Sequence, residues 1–155
     1  MSISAALTNL GIDLPDVASP VASYIPATTH GDLVFTSGQL PFVAGVLPAT
    51  GKVGEGRGHV DSADASQYAR VCALNALAAA AAAVGGVDRL TGVVKVTGFV
   101  ASAPEFTGQP GVINGASELL GEIFGEAGSH ARSAVGVAVL PLDSPVEVEV
   151  IFSFE

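Results

Sequence analysis

The sequence predicts an α+β fold in which two helices cover one face of a single β-sheet. Residues 131–155 alternate in character with period two, which is typical of β-strands. Segments 61–84 and 109–125 carry helical signals, and the apolar runs at 21–40 and 89–102 are short and rich in β-branched or aromatic residues. The predicted order is β, β, α, β, α, β, β, and the expected arrangement is a layered sandwich.

The first 20 residues are predicted to form a helix or arm that precedes one domain spanning residues 21–155. Ser2 or Ser4 can cap a short helix through Leu10, and Gly11 suits its end. Pro15 and Pro20 favour an extended course after this helix. We expect the segment to cover an edge of the domain.

Residues 21–40 are predicted to form two short strands joined by a turn at His30-Gly31-Asp32. The second strand runs into Ser37-Gly38-Gln39, where the glycine permits a ligand to approach the backbone closely. The Gly- and Pro-rich loop 42–59 fails the P-loop test, because five residues separate Gly45 from Gly51 where four are needed. No nucleotide site is predicted in this loop.

The first long helix is predicted over 61–84, with Asp61 or Ser62 as its cap and Gly85-Gly86 at its end. Its alanine-rich second half has the highest helix propensity available. Cys72 is interpreted as a small buried hydrophobe rather than a nucleophile. The positions predicted to face the core are Val71, Leu74, Ala78 and Ala81.

The segment 89–102 is predicted to be a strand buried on both faces, and a second helix follows at about 109–125. Within that helix Asn114-Gly115 is unusual, since both residues are poor helix formers. Tight packing of the helix on the sheet explains the glycine. The side chain of Asn114 points either at a site or at solvent.

Residues 131–155 are predicted to form a β-hairpin that turns between Pro141 and Pro145. The bulky valines at 135, 137 and 139, with the apolar side chains of the second arm, are expected to pack on the helices. The opposite face carries small residues together with Arg132 and Glu147. The chain has no third long helix to cover that face, so we infer that other subunits cover it.

Arg132 and Glu147 are predicted to lie on this second face but far apart. Counted from the turn, they differ by seven residues, which is roughly 20 Å along a hairpin at ~3.3 Å per residue. If both serve one site, the site lies between subunits. A buried arginine binds carboxylates bidentately, and either a ligand carboxylate or an interface salt bridge would satisfy Arg132.

Composition narrows the classes of partner. The net charge of −9 argues against nucleic acid, which is bound by basic surfaces. Hydrophobic residues make up 49% of the chain and charged residues only 14%, which favours an oligomer. No stretch is expected to approach the ~18 apolar residues of a membrane helix, and no secretory signal is recognised. The cytoplasm is the default location, and no membrane partner is predicted.

The motifs identify the chain as similar to a known family. Thr36-Ser37-Gly38-Gln39-Leu40-Pro41, the run Ala131-Arg132-Ser133, and Val-Glu-Val-Glu at 146–149 resemble the RidA/YjgF family. These are small trimeric enamine/imine deaminases, also labelled endoribonuclease L-PSP. The resemblance covers about residues 20–155. It implies a chorismate-mutase-like fold in which three sheets form a central barrel with helices outside, and clefts between subunits.

The resemblance also implies a reaction and its residues. It implies hydrolysis of a 2-imino acid, the tautomer of a 2-enamino acid, to a 2-keto acid and ammonia. Arg132 matches the arginine that binds the substrate carboxylate, and Glu147 matches the glutamate that positions the attacking water. The matching cleft-lining positions are Tyr24, Ser37, Gly38, Asn114 and Ala134. No metal or organic cofactor is implied, and the three histidines show no ligand spacing.

The chain departs from the family pattern near its arginine. Ala134 and Gly136 stand where a cysteine and often a glutamate are found, and His130 replaces a proline. His130 is interpreted as a solvated loop histidine, with a titrating group at the mouth of the cleft as the alternative. The alternative function is a family member that binds a small carboxylate metabolite without turning it over. A ribonuclease is a third, weaker reading, because the chain has no basic stripe.

Overall fold

The computed structural model describes residues 2–17 and 23–155. The extended course predicted for residues 18–20 and the predicted start of the first strand at 21 lie outside the described residues. The elements are α1 (Ile3–Leu10), β1 (Ala27–His30), β2 (Leu33–Thr36), α2 (Ser62–Val84), β3 (Leu90–Ala101), α3 (Gln109–Phe124), β4 (Ala131–Val137) and β5 (Val146–Phe154). Their order after α1 confirms the predicted β, β, α, β, α, β, β.

The strands form one five-stranded mixed sheet in the order β1-β2-β5-β3-β4. β1 and β2 are an antiparallel hairpin, and β5 pairs antiparallel with both β2 and β3. β3 and β4 are parallel, and α3 is the crossover that such a pair requires. The predicted α+β class, with one mixed sheet and helices on one face, is confirmed.

The predicted C-terminal hairpin is wrong. β4 pairs with β3, while β5 lies on the other side of β3 and pairs with β2 as well. The two strands are therefore separated by the 12-residue β3. Local alternation and a Pro-rich turn describe both strands correctly, but they do not determine which neighbour each strand pairs with, because that depends on the long-range path of β3.

The predicted facing of β5 is correct and that of β4 is reversed. Val148 and Phe152 of β5 are completely buried under the helices. On β4 the small residues, Ala134 among them, face α3, whereas Val135 is 43% exposed on the opposite side. We call the side of the sheet away from the helices the open face. No helix within residues 2–17 and 23–155 covers it.

The prediction that β3 is buried on both faces is also wrong for this chain. Val96 and Val100 are completely buried toward the helices, while Lys95 is exposed and Thr97 and Phe99 are only half-buried. The open face therefore carries half-exposed apolar side chains, which is a common feature of surfaces that associate with another protein.

α2 begins after its cap Asp61, whose side chain accepts a hydrogen bond from the Ala63 N–H at 2.8 Å. Of the four positions predicted to face the core, Ala78 and Ala81 are buried, whereas Val71 and Leu74 are only partly buried. Cys72 is fully buried as predicted, and burial raises the pKa of its thiol well above the usual range. The buried residues of the helix are Ala65, Ala69, Cys72, Ala73, Asn75, Ala76, Leu77, Ala78, Ala79, Ala80, Ala81 and Val84.

The same helix corrects the expectation about apolar stretches. Ser62–Val84 is long and apolar enough, by length and composition alone, to cross a membrane, with a mean hydropathy of 1.2. Its most apolar window is 61% buried within the fold, as is common for a core helix. A core helix that is packed within the fold can therefore have the length and composition of a membrane helix.

Gly115 marks where α3 touches α2, not where it touches the sheet. A Cβ at this position would overlap the backbone carbonyl oxygen of Ser66 on α2. The close contact predicted for the glycine is therefore real, but its partner is the other helix. Gly98 on β3 provides the close approach of α3 to the sheet, because a Cβ there would overlap Ile113.

Gly115→Ala is expected to lower the free energy of unfolding by about 1–3 kcal/mol, the usual cost of overpacking. The matched control is Gly121→Ala on the same helix, where a Cβ meets nothing within 4 Å. That change should stabilise the chain by up to about 1 kcal/mol through helix propensity. Denaturant unfolding of both variants checks the prediction, and an equal effect at the two glycines would contradict it.

Of the two predicted caps, Ser2 and Ser4, the structure has Ser2, and α1 ends at Gly11 in the left-handed conformation. The Ser4 N–H and hydroxyl both donate to the Asp88 carboxylate at 2.7 Å. These hydrogen bonds lower the pKa of Asp88, and Leu7 is buried in the core. The N-terminal helix is thus anchored to the start of β3 and to the helix layer.

Candidate functional site

The side chains predicted to form the site lie in two separate clusters. One, the arginine cluster, consists of Arg132, Asn114, Ser117 and His130 on β4 and α3. The other, the glutamate cluster, consists of Glu147, Gly38, Ser37 and Tyr24, where β2 ends and β5 begins.

Arg132 is directed toward α3. Its Nη1 donates to Asn114 Oδ1 at 2.8 Å and to Ser117 Oγ at 3.3 Å, and its Nη2 donates to the Pro110 carbonyl at 3.4 Å. These three partners are neutral. The Asn114 side chain is thus hydrogen-bonded to the predicted site residue Arg132, although Asn114 is itself exposed.

The interpretation of His130 as a solvated loop histidine is wrong. The ring is half-buried, with Nδ1 2.5 Å from the Gly128 carbonyl oxygen and Nε2 2.9 Å from Ser117 Oγ. Ser117 thus links His130 to Arg132. The sequence analysis did not single out Ser117, although its position three residues after Asn114 places both on one face of the helix.

The two small residues on β4 bring the strand close to its neighbours. Ala134 is partly buried against the core, and a Cβ at Gly136 would lie 2.7 Å from Gln109 Nε2 and 3.1 Å from Ser102 Oγ. Gln109 Nε2 also donates to the Phe106 carbonyl at 2.8 Å. The space that a larger residue would take at 136 is therefore occupied by the start of α3.

Glu147 lies on the open face against Gly38. A Cβ at position 38 would overlap the Glu147 carboxylate, so the glycine allows the side chain to lie across the backbone. The neighbouring residue Gln39 pairs with Val148 through two backbone hydrogen bonds of 2.8 and 3.0 Å. This pairing fixes the position of Gly38 relative to Glu147.

Tyr24 and Ser37 lie at the same end of the sheet. The Ser37 hydroxyl donates to the Ile25 carbonyl at 2.6 Å, which ties the segment containing Tyr24 to the end of β2. The Tyr24 side chain is 44% exposed. Asn75, from α2, holds the following loop by donating to the Leu40 and Phe42 carbonyls at 3.0 and 3.1 Å.

The carboxyl of Glu147 has a raised pKa. Desolvation by burial is the larger cause, and the nearby Glu149 carboxylate adds to it. A carboxylate that is partly withdrawn from water and lacks a cationic partner is a better base than an exposed one. Within residues 2–17 and 23–155 the structure has one carboxylate ion pair, Arg70 with Glu122 at 2.7 Å.

The two clusters do not meet within one chain. Arg132 lies beside Val96 on β3, whereas Glu147 lies beside Phe99. Three residues along the strand and two strand spacings put their Cα atoms roughly 14 Å apart. Their side chains also point to opposite faces of the sheet, so the prediction that they share a face is wrong for Arg132.

Gly38→Ala is expected to lower any activity that depends on Glu147 about tenfold while changing the melting temperature little. The added Cβ displaces the far end of a flexible side chain, and the backbone at position 38 is not left-handed. If the effect acts through Glu147, the double variant Gly38→Ala/Glu147→Gln is no worse than Glu147→Gln alone. Additive losses would contradict this.

Groups of metal-ligating side chains and pockets outside the two clusters are other places where a cofactor or ligand could bind. In the described ranges, 2–17 and 23–155, no three His, Cys, Asp or Glu side chains are grouped closely enough to hold a metal ion. A separate pocket of about 500 Å³ lies between the long loop and the segment before α3, lined in part by Glu55, His59 and Phe106.

The chain matches the family model described as "YjgF/chorismate mutase-like, putative endoribonuclease" over residues 4–154. The chain belongs to the YjgF family. It is 42% identical over 148 residues to Protein TCP17 of Trypanosoma cruzi, covering 95% of this chain and 91% of that protein. The predicted resemblance to the RidA/YjgF family is thereby confirmed.

Solved structures of YjgF relatives share the fold. Atu1372 of Agrobacterium tumefaciens, a protein of unknown function, is 44% identical with a TM-score of 0.88, covering 99% of this chain and 92% of that one. An endoribonuclease-like protein of Shewanella oneidensis is 30% identical with a TM-score of 0.93, covering 99% and 100%. Escherichia coli TdcF, solved with bound serine, is 26% identical with a TM-score of 0.65, covering 90% and 94%.

Proposed function

We propose that this YjgF protein hydrolyses 2-imino acids, in equilibrium with 2-enamino acids, to 2-keto acids and ammonia. Arg132 binds the substrate carboxylate, and Glu147 acts as general base on the attacking water. Tyr24, Ser37, Gly38, Asn114 and Ala134 line the cleft. Glu147 takes a proton from the water as the water oxygen adds to the C=N carbon, and that proton passes to the nitrogen. The resulting carbinolamine transfers its hydroxyl proton to the nitrogen, ammonia leaves, and the keto group remains.

The observation that carries the proposal is the state of Arg132. Its guanidinium is oriented by three neutral acceptors, and within residues 2–17 and 23–155 it has no carboxylate partner. A half-buried arginine that is oriented but not neutralised is well suited to a ligand carboxylate. Orienting a substrate in this way supports catalysis by proximity.

Glu147 supports the second half of the reaction. Burial raises the pKa of its carboxyl, which brings that pKa nearer to neutral pH, and a base is most effective when its pKa lies near the working pH. The carboxylate lies close over Gly38, and within residues 2–17 and 23–155 it has no cationic partner that would weaken its basicity.

We propose further that the site forms between copies of the chain, in a trimer whose barrel is lined by the open faces. Two observations support this. Arg132 and Glu147 lie too far apart, and on opposite faces, to act on one small molecule within a chain. Val135 is 43% exposed on the open face, where a second copy would cover it.

The proposal is tested by a coupled assay. An amino-acid oxidase generates imines from a panel of amino acids, semicarbazide traps them, and the protein competes with the trap. The proposal requires that trapping falls with wild type and not with Arg132→Ala. Unchanged trapping for every imine tested would overturn it.

The alternative is a carboxylate-binding protein without turnover. Two observations favour it: TdcF was solved with bound serine, and Ala134 and Gly136 depart from the family pattern. It predicts thermal stabilisation by small carboxylates through Arg132 with no ammonia released. The endoribonuclease named in the family description is disfavoured by the net charge of −9, because phosphate binding needs a basic surface.

A further inference from the structure

His130 and Ser117 form a hydrogen-bonded chain that ends on Arg132. His130 Nδ1 lies 2.5 Å from the Gly128 carbonyl oxygen, His130 Nε2 lies 2.9 Å from Ser117 Oγ, and Arg132 Nη1 lies 3.3 Å from the same Oγ. All three side chains are half-buried. Neither Ser117 nor His130 has a role in the reaction proposed above.

The directions of these hydrogen bonds follow from their chemistry. The Gly128 carbonyl can only accept, so Nδ1 is the donor in this hydrogen bond, and in the imidazole form with a single N–H the other nitrogen, Nε2, is an acceptor. The Ser117 hydroxyl therefore donates to Nε2, and its lone pairs are left for Arg132. A hydroxyl that donates in such a chain is a stronger acceptor than a free one.

The guanidinium has five N–H donors, and the arrangement determines which of them remain available. Asn114 Oδ1 and Ser117 Oγ take the two protons on Nη1, and the Pro110 carbonyl takes one on Nη2. In residues 2–17 and 23–155 the structure shows no acceptor for Nε–H. One Nη2–H of a guanidinium is parallel to Nε–H, and these two form a pair that suits a carboxylate when the Pro110 carbonyl accepts from the other Nη2–H.

We infer that His130, acting through Ser117, is a positioning residue that holds Arg132 so that it binds the substrate carboxylate side-on, through Nε and Nη2. The inference rests on the proposed function for the identity of the ligand. The position of the guanidinium itself can be observed without any ligand. A long side chain on the edge strand β4 has several rotatable bonds, and these contacts restrict them at a site where small displacements are costly.

The first measurement is NMR of protein labelled with ¹⁵N in arginine and histidine. The Arg132 signals are assigned by their loss in Arg132→Lys. We expect separate, slowly exchanging Nη protons for Arg132 in wild type, and averaged signals in Ser117→Ala and His130→Ala. The His130 nitrogen shifts should report the Nδ1–H tautomer. Averaged Arg132 signals in wild type, or signals unchanged in both variants, would overturn the inference.

The second measurement is kinetic and uses the same variants. Losing one hydrogen bond to Arg132 should raise KM roughly three- to tenfold with a smaller change in kcat. His130→Gln, whose side-chain oxygen can accept from Ser117, should recover most of what His130→Ala loses. Glu118→Gln, on the exposed side of the same helix turn, is the matched control. Equal KM values for His130→Ala and wild type would contradict the inference.

Binding of pyruvate as a carboxylate probe separates this inference from the proposed reaction. If imines are not hydrolysed but pyruvate shifts the Arg132 Nε–H signal, and Ser117→Ala weakens that binding, the positioning role stands and the hydrolysis fails. If Arg132→Ala retains full turnover, the proposed function fails whatever the NMR shows. If turnover depends on Arg132 but not on Ser117 or His130, only the positioning inference fails.

Discussion

Arg132→Ala is expected to lower kcat/KM for imine hydrolysis roughly 100-fold or more. Each hydrogen bond to a charged group contributes about 1.5–3 kcal/mol, and a bidentate pair to the substrate carboxylate would be lost. Steady-state kinetics with the oxidase-coupled assay measures the effect. Arg132→Lys should remain strongly impaired, because an ammonium keeps the charge but not the planar fork.

The matched control for this prediction is Arg70→Ala. Arg70 pairs with Glu122 between α2 and α3 at 2.7 Å, and such exposed pairs contribute only about 0–1 kcal/mol to stability. Activity should be close to that of wild type in this variant. Comparable losses of activity in Arg70→Ala and Arg132→Ala would mean that Arg132 affects activity through the stability of the fold, which would contradict its proposed role.

Glu147→Gln is expected to lower kcat by roughly 100-fold or more, the usual contribution of a general base. The amide keeps the shape of the side chain above Gly38 but cannot accept the proton from water. In wild type, kcat/KM should fall as the pH is lowered through the pKa of Glu147. In Glu149→Gln that acid limb should move to lower pH, because one cause of the raised pKa has been removed.

Glu147→Gln should be more stable than wild type at neutral pH. A carboxyl whose pKa is raised by folding binds its proton more tightly in the folded chain, so its ionisation destabilises the fold. The advantage of Glu147→Gln should therefore be small below the ordinary glutamate pKa, about 4.3. It should grow as the pH rises through the raised value. Thermal melts at pH 3.5 and 7.5 test this, and a less stable variant at pH 7.5 would contradict it.

The sequence predicted the elements well and their neighbours less well. The caps Ser2 and Asp61 and the ends of α2 and α3 follow from local hydrogen bonding and propensity, and they were confirmed. The pairing of β4 was not predictable from its own residues. A strand that follows a crossover helix and a strand in a hairpin can have the same alternation, and only β3, placed earlier in the chain, decides between them.

The facing of β4 was predicted wrongly because the prediction used the hydrophobic pattern alone. Bulky side chains usually point to the core, and Val135 was assigned there, yet the small face packs against α3 because the helix approaches closely at Gly136. As a result, Val135 lies on the open face. The facing of β4 could be predicted only if its small-residue face were known to pack against α3.

The placement of the candidate site residues differs in part from the prediction. Motif resemblance named Arg132, Asn114 and Glu147, and the structure brings the first two together and keeps the third apart. The separation of Arg132 from Glu147 was predicted for the wrong reason, because it was derived from a hairpin between β4 and β5 that the structure does not contain. The link through Ser117 and His130 was missed, since a hydrogen-bonded chain between α3 and β4 leaves no periodic signal in the sequence.

Subunit complementation tests the central claim, a site that takes Arg132 from one copy and Glu147 from another. Arg132→Ala and Glu147→Gln proteins, each inactive alone, are mixed in equal amounts, unfolded and refolded together. Random assembly places an intact Arg132 against an intact Glu147 in about one site in four, so the mixture should recover about a quarter of wild-type activity. No recovery in correctly assembled mixed oligomers would contradict the shared site.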